Sequence, residues 1–305
     1  MPEMPKPFLP AIAALRAAAE PTRLRLLALL AHGELTVGEI CEIVGQSQPR
    51  ISRHLKVLSD AGLLDRFREQ HWVYYRSPSM GDGRETIQQL LALVSSEDDV
   101  LRRDHRRLEA VVAERGRRAQ AAATMSIDLP AEIDTILLRE LGSEPVGALL
   151  DVGTGSGHLL ELLGAKATRA IGIDISSDAL RVARTNVHGA GLSHCELQHG
   201  DMYDLPFAAP LFDTAIADRV LAQADQPMAA LAEIARTLKD GARLIVVEDF
   251  DALAADPAHP NPIAILRSWF RQAGLACGRI HPVDTEHGHL LVALARRVSP
   301  AIVAA

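Results

Sequence analysis

The chain has 305 residues, of which 48% are hydrophobic and 23% charged, enough apolar material for two folded domains. No run approaches ~18 consecutive apolar residues, and the N-terminus lacks the basic-then-apolar order of a signal peptide, so we expect a cytoplasmic protein that does not interact with membranes. Three widely spaced cysteines exclude a disulfide framework and a Cys-x-x-Cys pair.

The net charge of −7 is unevenly distributed along the chain. Residues 1–124 carry 18 Lys and Arg against 16 Asp and Glu, whereas acidic residues dominate the remainder. The first part is therefore the candidate for contact with a polyanion. We predict a first domain over residues 1–118, a linker over 119–127 and a second domain over 128–305.

Helix signals dominate the beginning of the chain. Residues 8–31 predict two short helices separated at Glu20-Pro21, because proline suits a first helical turn. The segment Thr36-Val37-Gly38-Glu39 matches a capping box and predicts the start of a third helix. A fourth helix is predicted from Ser47, which can cap it. Its buried face recurs at helical spacing and comprises Ile51, Leu55 and Leu58.

Residues 64–76 change to a β-type pattern around a polar tip at Glu69-Gln70-His71, which predicts a hairpin. Residues 84–118 then carry an apolar side chain every three or four positions and predict one long helix. The length and single apolar stripe of this helix suit a dimer surface.

The third and fourth helices, joined near Gly45-Gln46, fit a helix-turn-helix whose second helix lies in the DNA major groove. Gln and Arg can bind base edges there, and Ser, Arg and Lys can hold phosphates. The predicted DNA contacts are Ser47, Gln48, Arg50, Ser52, Arg53 and Lys56 in the helix and Arg66, Arg68, Gln70 and His71 in the hairpin. The alternative is the solvated face of an ordinary amphipathic helix.

Residues 21–78 resemble the ArsR/SmtB family of winged-helix repressors, most clearly in segments 34–40, 46–55 and 72–76. The resemblance implies a homodimer, formed through the terminal helices, that binds double-stranded operator DNA and in many members leaves it when an inducer binds. Metal-sensing members carry Cys-Val-Cys at the start of the third helix, where this chain has Thr36-Val37-Gly38. That thiolate site is absent. Asp104, His105 and Glu109 lack a second histidine at suitable spacing, so no metal site is predicted.

Beyond residue 126, apolar strands alternate with amphipathic helices. The predicted strands are 148–152, 170–174, 194–199, 214–217, 243–249, about 277–282, and 290–295. This alternation implies a mainly parallel sheet. The fold class is therefore an α+β winged helix-turn-helix domain followed by an α/β Rossmann-like, doubly wound, mostly parallel sheet.

Acidic residues and glycines follow the ends of these strands. The first strand leads into a G-x-G-x-G turn at residues 153–157, where glycines allow close approach of a ligand to a helix N-terminus. A glycine turn alone is a weak signal, shared with dinucleotide enzymes. The second strand ends in Asp174, whose carboxylate can accept hydrogen bonds from two ribose hydroxyls. The third leads to Asp201-Met202, which suits an adenine amino group and ring.

Together with segments 212–218 and 238–248, these motifs resemble class I S-adenosylmethionine-dependent methyltransferases over residues 129–297. The resemblance implies S-adenosylmethionine or S-adenosylhomocysteine as the ligand. The implied ligand-binding residues are Asp151, Gly153, Thr154, Gly155, Gly157, Asp174, Ile175, Asp201, Met202 and Asp218. Asp151 and the glycines would hold the methionine end, Asp174 the ribose, and Asp201 with Met202 the adenine. The alternative is a doubly wound sheet with ordinary loop glycines.

Methyl transfer itself is left open, and no catalytic residue is predicted. Residues 217–220 read Ala-Asp-Arg-Val rather than Asn-Pro-Pro-Tyr, and this domain holds only Cys195 and Cys277, too few thiols for an arsenite methyltransferase. The histidines at 281, 287 and 289 lack a completing ligand pattern. We expect a repressor of methionine and S-adenosylmethionine cycle genes controlled by either adenosyl ligand. The alternatives are a small-molecule methyltransferase that represses its own operon and a DNA-binding protein with a vestigial second domain.

Overall fold

The computed structural model describes residues 8–69, 72–78, 81–95, 98–122, 131–142, 144–254, 261–285 and 288–298. The chain divides into two compact units, residues 1–122 with 187–194 and residues 123–186 with 195–305. None of the helices in the described ranges is both long and apolar enough to cross a membrane.

The first unit combines helices with a small antiparallel sheet of order β1-β3-β2. Its elements are α1 (Phe8–Ala18), α2 (Pro21–Leu30), β1 (Leu35–Thr36), α3 (Val37–Val44), α4 (Gln48–Asp60), β2 (Asp65–Glu69), β3 (Trp72–Arg76), α5 (Asp82–Leu91) and α6 (Asp99–Ala122). The predicted break at Glu20-Pro21 is confirmed, because the Glu20 side chain accepts a hydrogen bond from the Arg23 amide and caps α2. The predicted hairpin and four initial helices are also confirmed.

The prediction of one helix over residues 84–118 is wrong. Helix α5 ends at Leu91 and α6 begins at Asp99. The physical reason is a cap: Asp98 Oδ1 accepts hydrogen bonds from the amides of Val100 and Leu101 at 2.9 and 3.2 Å, which starts a new helix. Helix α6 then continues to Ala122, into the segment 119–127 predicted as a linker, and the rest of that segment, residues 123–127, lies outside the described residues.

The hydrophobic core of the first unit lies beneath the helix-turn-helix. Fully buried side chains come from α2, α3 and α4, and α6 packs against them through Leu108, Val111 and Val112. Burying an aliphatic side chain of this size contributes roughly 1.5–3 kcal/mol. The apolar face of α6 is therefore partly used within the chain that carries it.

The following elements are α7 (Ala131–Leu141), β4 (Gly147–Val152), α8 (His158–Gly164), β5 (Ala167–Asp174), α9 (Ser177–Gly189), β6 (Cys195–His199), β7 (Phe212–Asp218), α10 (Pro227–Thr237), β8 (Leu238–Asp249), α11 (Phe250–Ala254), α12 (Pro262–Gln272), β9 (Leu275–Thr285) and β10 (Gly288–Arg297). Seven strands form one sheet of order β6-β5-β4-β7-β8-β10-β9. Strands β4 to β8 are parallel, and β10 is antiparallel to both β8 and β9.

This order confirms the predicted doubly wound, mostly parallel sheet. The chain leaves β4 for β5 and β6 on one side and then returns to β7 on the other side of β4. Ligands of such sheets bind beyond the carboxyl ends of the strands where the order reverses. The residues that follow β4, β5, β6 and β7 are therefore the candidates for ligand contact.

Candidate functional site

The helix-turn-helix has a tight turn between α3 and α4. Gly45 ends α3 with a φ of 72°, a left-handed conformation that glycine adopts without a steric cost. The capping box of α3 is complete, since the amide of Thr36 donates to Glu39 Oε2 at 2.8 Å and the amide of Glu39 donates to Thr36 Oγ1. Ser47 occupies the N-cap position of α4, but its hydroxyl makes no capping hydrogen bond, contrary to the prediction.

Helix α4 separates its apolar and polar side chains as predicted. Ile51, Leu55 and Leu58 are fully buried. On the opposite face Ser47, Gln48, Arg50, Arg53 and Lys56 are exposed and Ser52 is half-buried. Lys56 already pairs with Asp60 one turn later at 3.0 Å. Arg66 and Arg68 are exposed on β2, whereas Gln70 and His71 lie outside the described residues.

Three arginine contacts attach α6 and α2 to the helix-turn-helix. Arg25 binds Asp104 through two hydrogen bonds of 2.6 and 2.8 Å and also donates to the carbonyl of Val44. Arg107 donates to the carbonyl of Ile43 at 3.0 Å. The same arrangement recurs at the start of α3, where Arg115 binds Glu39 Oε1 through two nitrogen atoms.

The pKa of Glu39 shows the effect of its arginine partner. Burial alone would raise the pKa of its carboxyl group, but the guanidinium of Arg115 and the hydrogen bonds from Thr36 outweigh burial and lower it. The charged groups beneath the candidate DNA surface are thus stabilised by partners in the chain.

The glycine-rich turn after β4 needs glycine for steric reasons. Gly153, Gly155 and Gly157 have φ values of 74°, 53° and 83°, all in the left-handed region. A Cβ atom at Gly153 would lie 2.2 Å from Cγ1 of Val220, and one at Gly157 would lie 3.0 Å from Cβ of Ala183. The tight turn that the glycine spacing predicts is therefore present, and two of its glycines also pack closely against neighbouring side chains.

Asp151, at the end of β4, is the best candidate for a ligand contact. Its carboxyl group is fully buried, and Oδ2 accepts a hydrogen bond from Thr154 Oγ1 at 2.6 Å. Oδ1 has no hydrogen-bond partner among the described residues. Burial raises the pKa of Asp151 to about 7, and the neighbouring carboxyl groups of Asp218 and Asp174 act in the same direction. A buried oxygen without a partner is costly, so this atom fits a site that a bound ligand completes.

The residues predicted for ribose and adenine follow β5 and β6. Asp174 accepts hydrogen bonds from the amides of Gly155 and Ser176 at 2.9 and 2.7 Å, one on each oxygen. Each carboxylate oxygen has a second lone pair, which is the capacity that ribose hydroxyls need. Ile175 is 68% exposed, Asp201 is exposed, and Met202 is half-buried against the core. These residues therefore lie at the carboxyl ends of two neighbouring strands.

Two residues near the ends of β7 and β8, Arg219 and Glu248, were not predicted as part of the site. Arg219 follows β7 and donates to the predicted residue Asp218 through Nε and Nη2 at 3.1 Å each. Glu248, near the end of β8, accepts a hydrogen bond from the Leu221 amide at 2.6 Å, and burial raises its pKa to about 7. In the sequence, only the positions of Arg219 and Glu248 near the ends of strands could have marked them as site residues, and the motifs there are shared by many folds.

A cavity of about 520 Å³ lies at the other edge of the sheet, near Leu141, Arg243 and Cys277. Its most buried charge, Arg243, donates to the carbonyls of Leu141 and Pro145 and to Thr214 Oγ1. Because these partners belong to the fold, the cavity is not the candidate ligand site.

Three of the side chains considered for metal binding lie beside other charged groups. Asp104 binds Arg25, His289 Nδ1 lies 2.7 Å from Asp284, and His281 lies 3.2 Å from Glu140. Among the residues that the structure describes, no three His, Cys, Asp or Glu side chains come together in an arrangement that could hold a metal ion. The histidine at position 287 lies outside those ranges.

The architecture defines a winged helix-turn-helix unit followed by a doubly wound α/β unit. Family models match a segment of each unit. The model described as "Bacterial regulatory protein, arsR family" matches residues 20–66, and the model described as "Methyltransferase domain" matches residues 150–246. The chain thus joins an arsR-family helix-turn-helix domain to a methyltransferase domain.

Curated relatives match one part of the chain each. The arsenical resistance operon repressor of Escherichia coli is 44% identical over 70 residues, which is 23% of this chain and 60% of that protein. An O-methyltransferase of Pyrenophora dematioidea is 32% identical over 145 residues, 47% of this chain and 53% of that protein. The matched segments thus span less than two thirds of either relative.

One solved structure is similar to just over half of the chain. The crystal structure of a SAM-dependent methyltransferase from Aquifex aeolicus is 22% identical, with a TM-score of 0.46, covering 56% of this chain and 95% of that one.

Proposed function

We propose that the protein is a DNA-binding repressor controlled by S-adenosylmethionine or S-adenosylhomocysteine bound to its methyltransferase domain. The observation that carries the proposal is Asp151, fully buried beside the glycine turn, with one oxygen that has no hydrogen-bond partner in the described ranges. This ligand-type site is joined, in one chain, to an arsR-family helix-turn-helix domain that has Thr36-Val37-Gly38 in place of a thiolate pair. An input signal would therefore enter through the second domain.

The residues present fit the adenosyl ligands. Asp151 and the glycines at 153, 155 and 157 would hold the amino-acid end, Asp174 the ribose, and Ile175 with Asp201 and Met202 the adenine. S-adenosylmethionine would supply an electrophilic methyl group on its sulfonium, whereas a regulator requires only the binding. A ligand can shift the protein between two states only as far as its affinity for them differs.

The DNA-binding half of the proposal rests on the exposed face of α4. Gln48, Arg50 and Arg53 would contact base edges, and the remaining serine, lysine and arginine positions would hold phosphates. Two copies, paired through the terminal helices of the first unit, would read two half-sites of double-stranded operator DNA in the cytoplasm. Genes of the methionine and S-adenosylmethionine cycle are the proposed targets.

A second candidate function is methyl transfer to a small molecule by a protein that also represses its own operon. Its support is the similarity to an O-methyltransferase together with the complete set of predicted donor-site residues. Positioning an acceptor near the methyl group can suffice for such a reaction, so the lack of an assigned base does not argue against it. Incubation with labelled donor and a metabolite extract, followed by product analysis, tests this candidate.

The test of regulation is a gel-shift titration on DNA selected from a random pool, with each adenosyl ligand in turn. We expect operator affinity to change about tenfold or more, equivalent to about 1.4 kcal/mol of coupling. Calorimetry run in parallel reports ligand binding. Binding by calorimetry with unchanged DNA affinity would contradict the proposal.

Two variants separate the two sites. Asp174→Ala should lose ligand affinity and retain DNA binding. Arg53→Ala should weaken DNA binding, at a cost of about 1–3 kcal/mol if it contacts a base, and retain ligand affinity. Arg181→Ala removes an exposed arginine of α9 and is the matched control. Loss of both activities in Arg53→Ala would contradict the assignment of separate sites.

A further inference from the structure

The backbone after β7 has an uncommon conformation. Arg219 has a φ of 51°, and no other non-glycine residue in the described ranges has a positive φ. Such conformations are unfavourable for residues with a Cβ atom and persist where surrounding structure imposes them. Here the Arg219 amide donates to the carbonyl of Val247 at 2.8 Å, and the Leu221 amide donates to Glu248.

This segment forms a wall of the glycine turn. Strands β4 and β7 are paired, with Val152 opposite Ala217, so the residues that follow them are neighbours. The side chain of Val220 occupies the space next to Gly153 that a Cβ atom would need. Arg219 is therefore adjacent in sequence to Val220, the residue that contacts the glycine turn. That turn is the candidate site for the amino-acid end of the ligand.

The guanidinium of Arg219 has unused hydrogen-bonding capacity. It contacts Asp218 through Nε and Nη2, and an arginine carries five N–H donors. Within the part of the chain that the structure describes, Nη1 has no hydrogen-bond partner, and the side chain is 28% exposed. The guanidinium is therefore hydrogen-bonded to one carboxylate and still has N–H donors for a second carboxylate.

The charged groups around the glycine turn are complementary to the ammonium and carboxylate groups of an amino acid. A zwitterion requires an acceptor for its ammonium group and a donor for its carboxylate. Asp151 Oδ1 is a buried acceptor without a partner among the described residues. Two basic groups, Arg219 and His158, act on the neighbouring carboxyl group of Asp218, and His158 Nε2 already lies 2.9 Å from Asp134 Oδ1. Planar guanidinium groups bind carboxylates with two parallel hydrogen bonds, which neither a backbone amide nor a lysine can reproduce.

We propose that Arg219 binds the α-carboxylate of the amino-acid portion of the adenosyl ligand and makes the site selective for ligands that retain this carboxylate. The inference rests on the proposed function, since it assigns a role to Arg219 in the same adenosyl site. It implies that adenosyl compounds that have lost the carboxylate do not trigger the regulator at the concentrations at which S-adenosylmethionine does.

The test is calorimetry on the full chain with S-adenosylmethionine and with its decarboxylated analogue, which keeps the ammonium group and the sulfonium. For the unaltered protein we expect the analogue to bind about 10–100-fold more weakly. Arg219→Gln should weaken S-adenosylmethionine binding by a similar factor and leave the analogue unchanged or tighter. Arg219→Lys should recover part of the loss, and Arg181→Gln, at an exposed ion pair of α9, is the matched control.

The outcomes are distinct. If Arg219→Gln weakens both ligands equally, Arg219 only maintains the wall of the site and the inference is wrong. Equal binding of both ligands by the unaltered protein also overturns it. If the unaltered protein binds neither ligand, the proposed function itself fails. Should Arg219→Gln fold poorly, Arg219→Gly removes the guanidinium while favouring the left-handed backbone, and the same ratio of affinities decides.

Discussion

Two buried carboxyl groups of the helix-turn-helix unit and two of the candidate ligand site are paired in opposite ways. In the first, Asp104 and Glu39 each receive two hydrogen bonds from an arginine, and the exposed basic residues lie on the outer face of α4. At the candidate ligand site, Asp151 and Glu248 are buried, their pKa values are raised, and no cationic side chain in the described ranges donates a hydrogen bond to them. The buried carboxyl groups of the first site therefore have cationic partners within the protein, whereas the described residues supply none to Asp151 and Glu248.

The largest expected effect on stability comes from adding a methyl group at Gly153, in the glycine turn of the candidate ligand site. Gly153→Ala should lower the free energy of unfolding by about 2–4 kcal/mol, because the new methyl group needs a left-handed backbone and meets Val220 at 2.2 Å. Ligand binding should be lost as well. Urea unfolding and calorimetry measure the two quantities.

Gly241→Ala is the matched control, since Gly241 has a φ of 76° but nothing within 4 Å of the added atom. It should cost only about 1 kcal/mol, the backbone contribution. The double variant Gly153→Ala/Val220→Ala should recover part of the stability. An equal cost at both glycines would show that packing against Val220 does not matter.

The second prediction concerns the pH dependence of stability. Because the pKa of Asp151 rises from 3.8 to about 7 on folding, the folded protein retains a proton that the unfolded chain loses. The contribution of this group is therefore complete below about pH 4 and is lost as the pH rises through about 7. Relative to Asp151→Asn, the unaltered protein without ligand should lose roughly 1–3 kcal/mol between pH 5 and pH 8. Unfolding curves at each pH give this difference.

Asp213→Asn supplies a control of opposite sign. Burial raises the pKa of Asp213, but Lys239 and the Ala148 amide outweigh burial and lower it, so its contribution is present at neutral pH and declines in acid. If Asp151→Asn and Asp213→Asn changed the pH profile in the same direction, the proposed contrast between paired and unpaired carboxylates would be wrong.

The smallest expected effect compares two capping positions of the helix-turn-helix. Thr36→Ala removes the hydroxyl that completes the capping box of α3 and should cost about 0.5–2 kcal/mol of unfolding free energy. Ser47→Ala removes a hydroxyl that caps nothing and should change stability by less than about 0.5 kcal/mol. If the Ser47 hydroxyl holds a DNA phosphate, Ser47→Ala should weaken DNA binding alone. A large stability loss at Ser47 would mean that its hydroxyl is also used internally.

Periodicity and motif spacing were sufficient to predict the two architectures. The prediction failed where a regular apolar stripe crossed the break between α5 and α6, because side chains at helical spacing align across a short interruption. The two-residue strand β1 was too short to produce an alternating pattern and exists through its pairing with β3.

The candidate sites were predictable as strand ends and helix faces, but their internal contacts were not. The pair Lys56–Asp60 has readable i, i+4 spacing, whereas the partners Arg25 and Asp104 are 79 positions apart. Burial of Asp151 and Glu248 depends on neighbouring strands, and the conformation of Arg219 depends on a hydrogen bond to Val247. Such properties arise from the assembled sheet and leave no local signal.

The arginine contacts between α6 and the helix-turn-helix bear on the response to ionic strength. Added salt weakens DNA binding steeply because counterions compete for the phosphates, whereas pairs as buried as Arg25–Asp104 and Arg115–Glu39 are screened much less. Salt should therefore release the protein from DNA without loosening the domain that reads it. Affinity measured across a salt series would then follow the number of phosphates contacted rather than a change in fold.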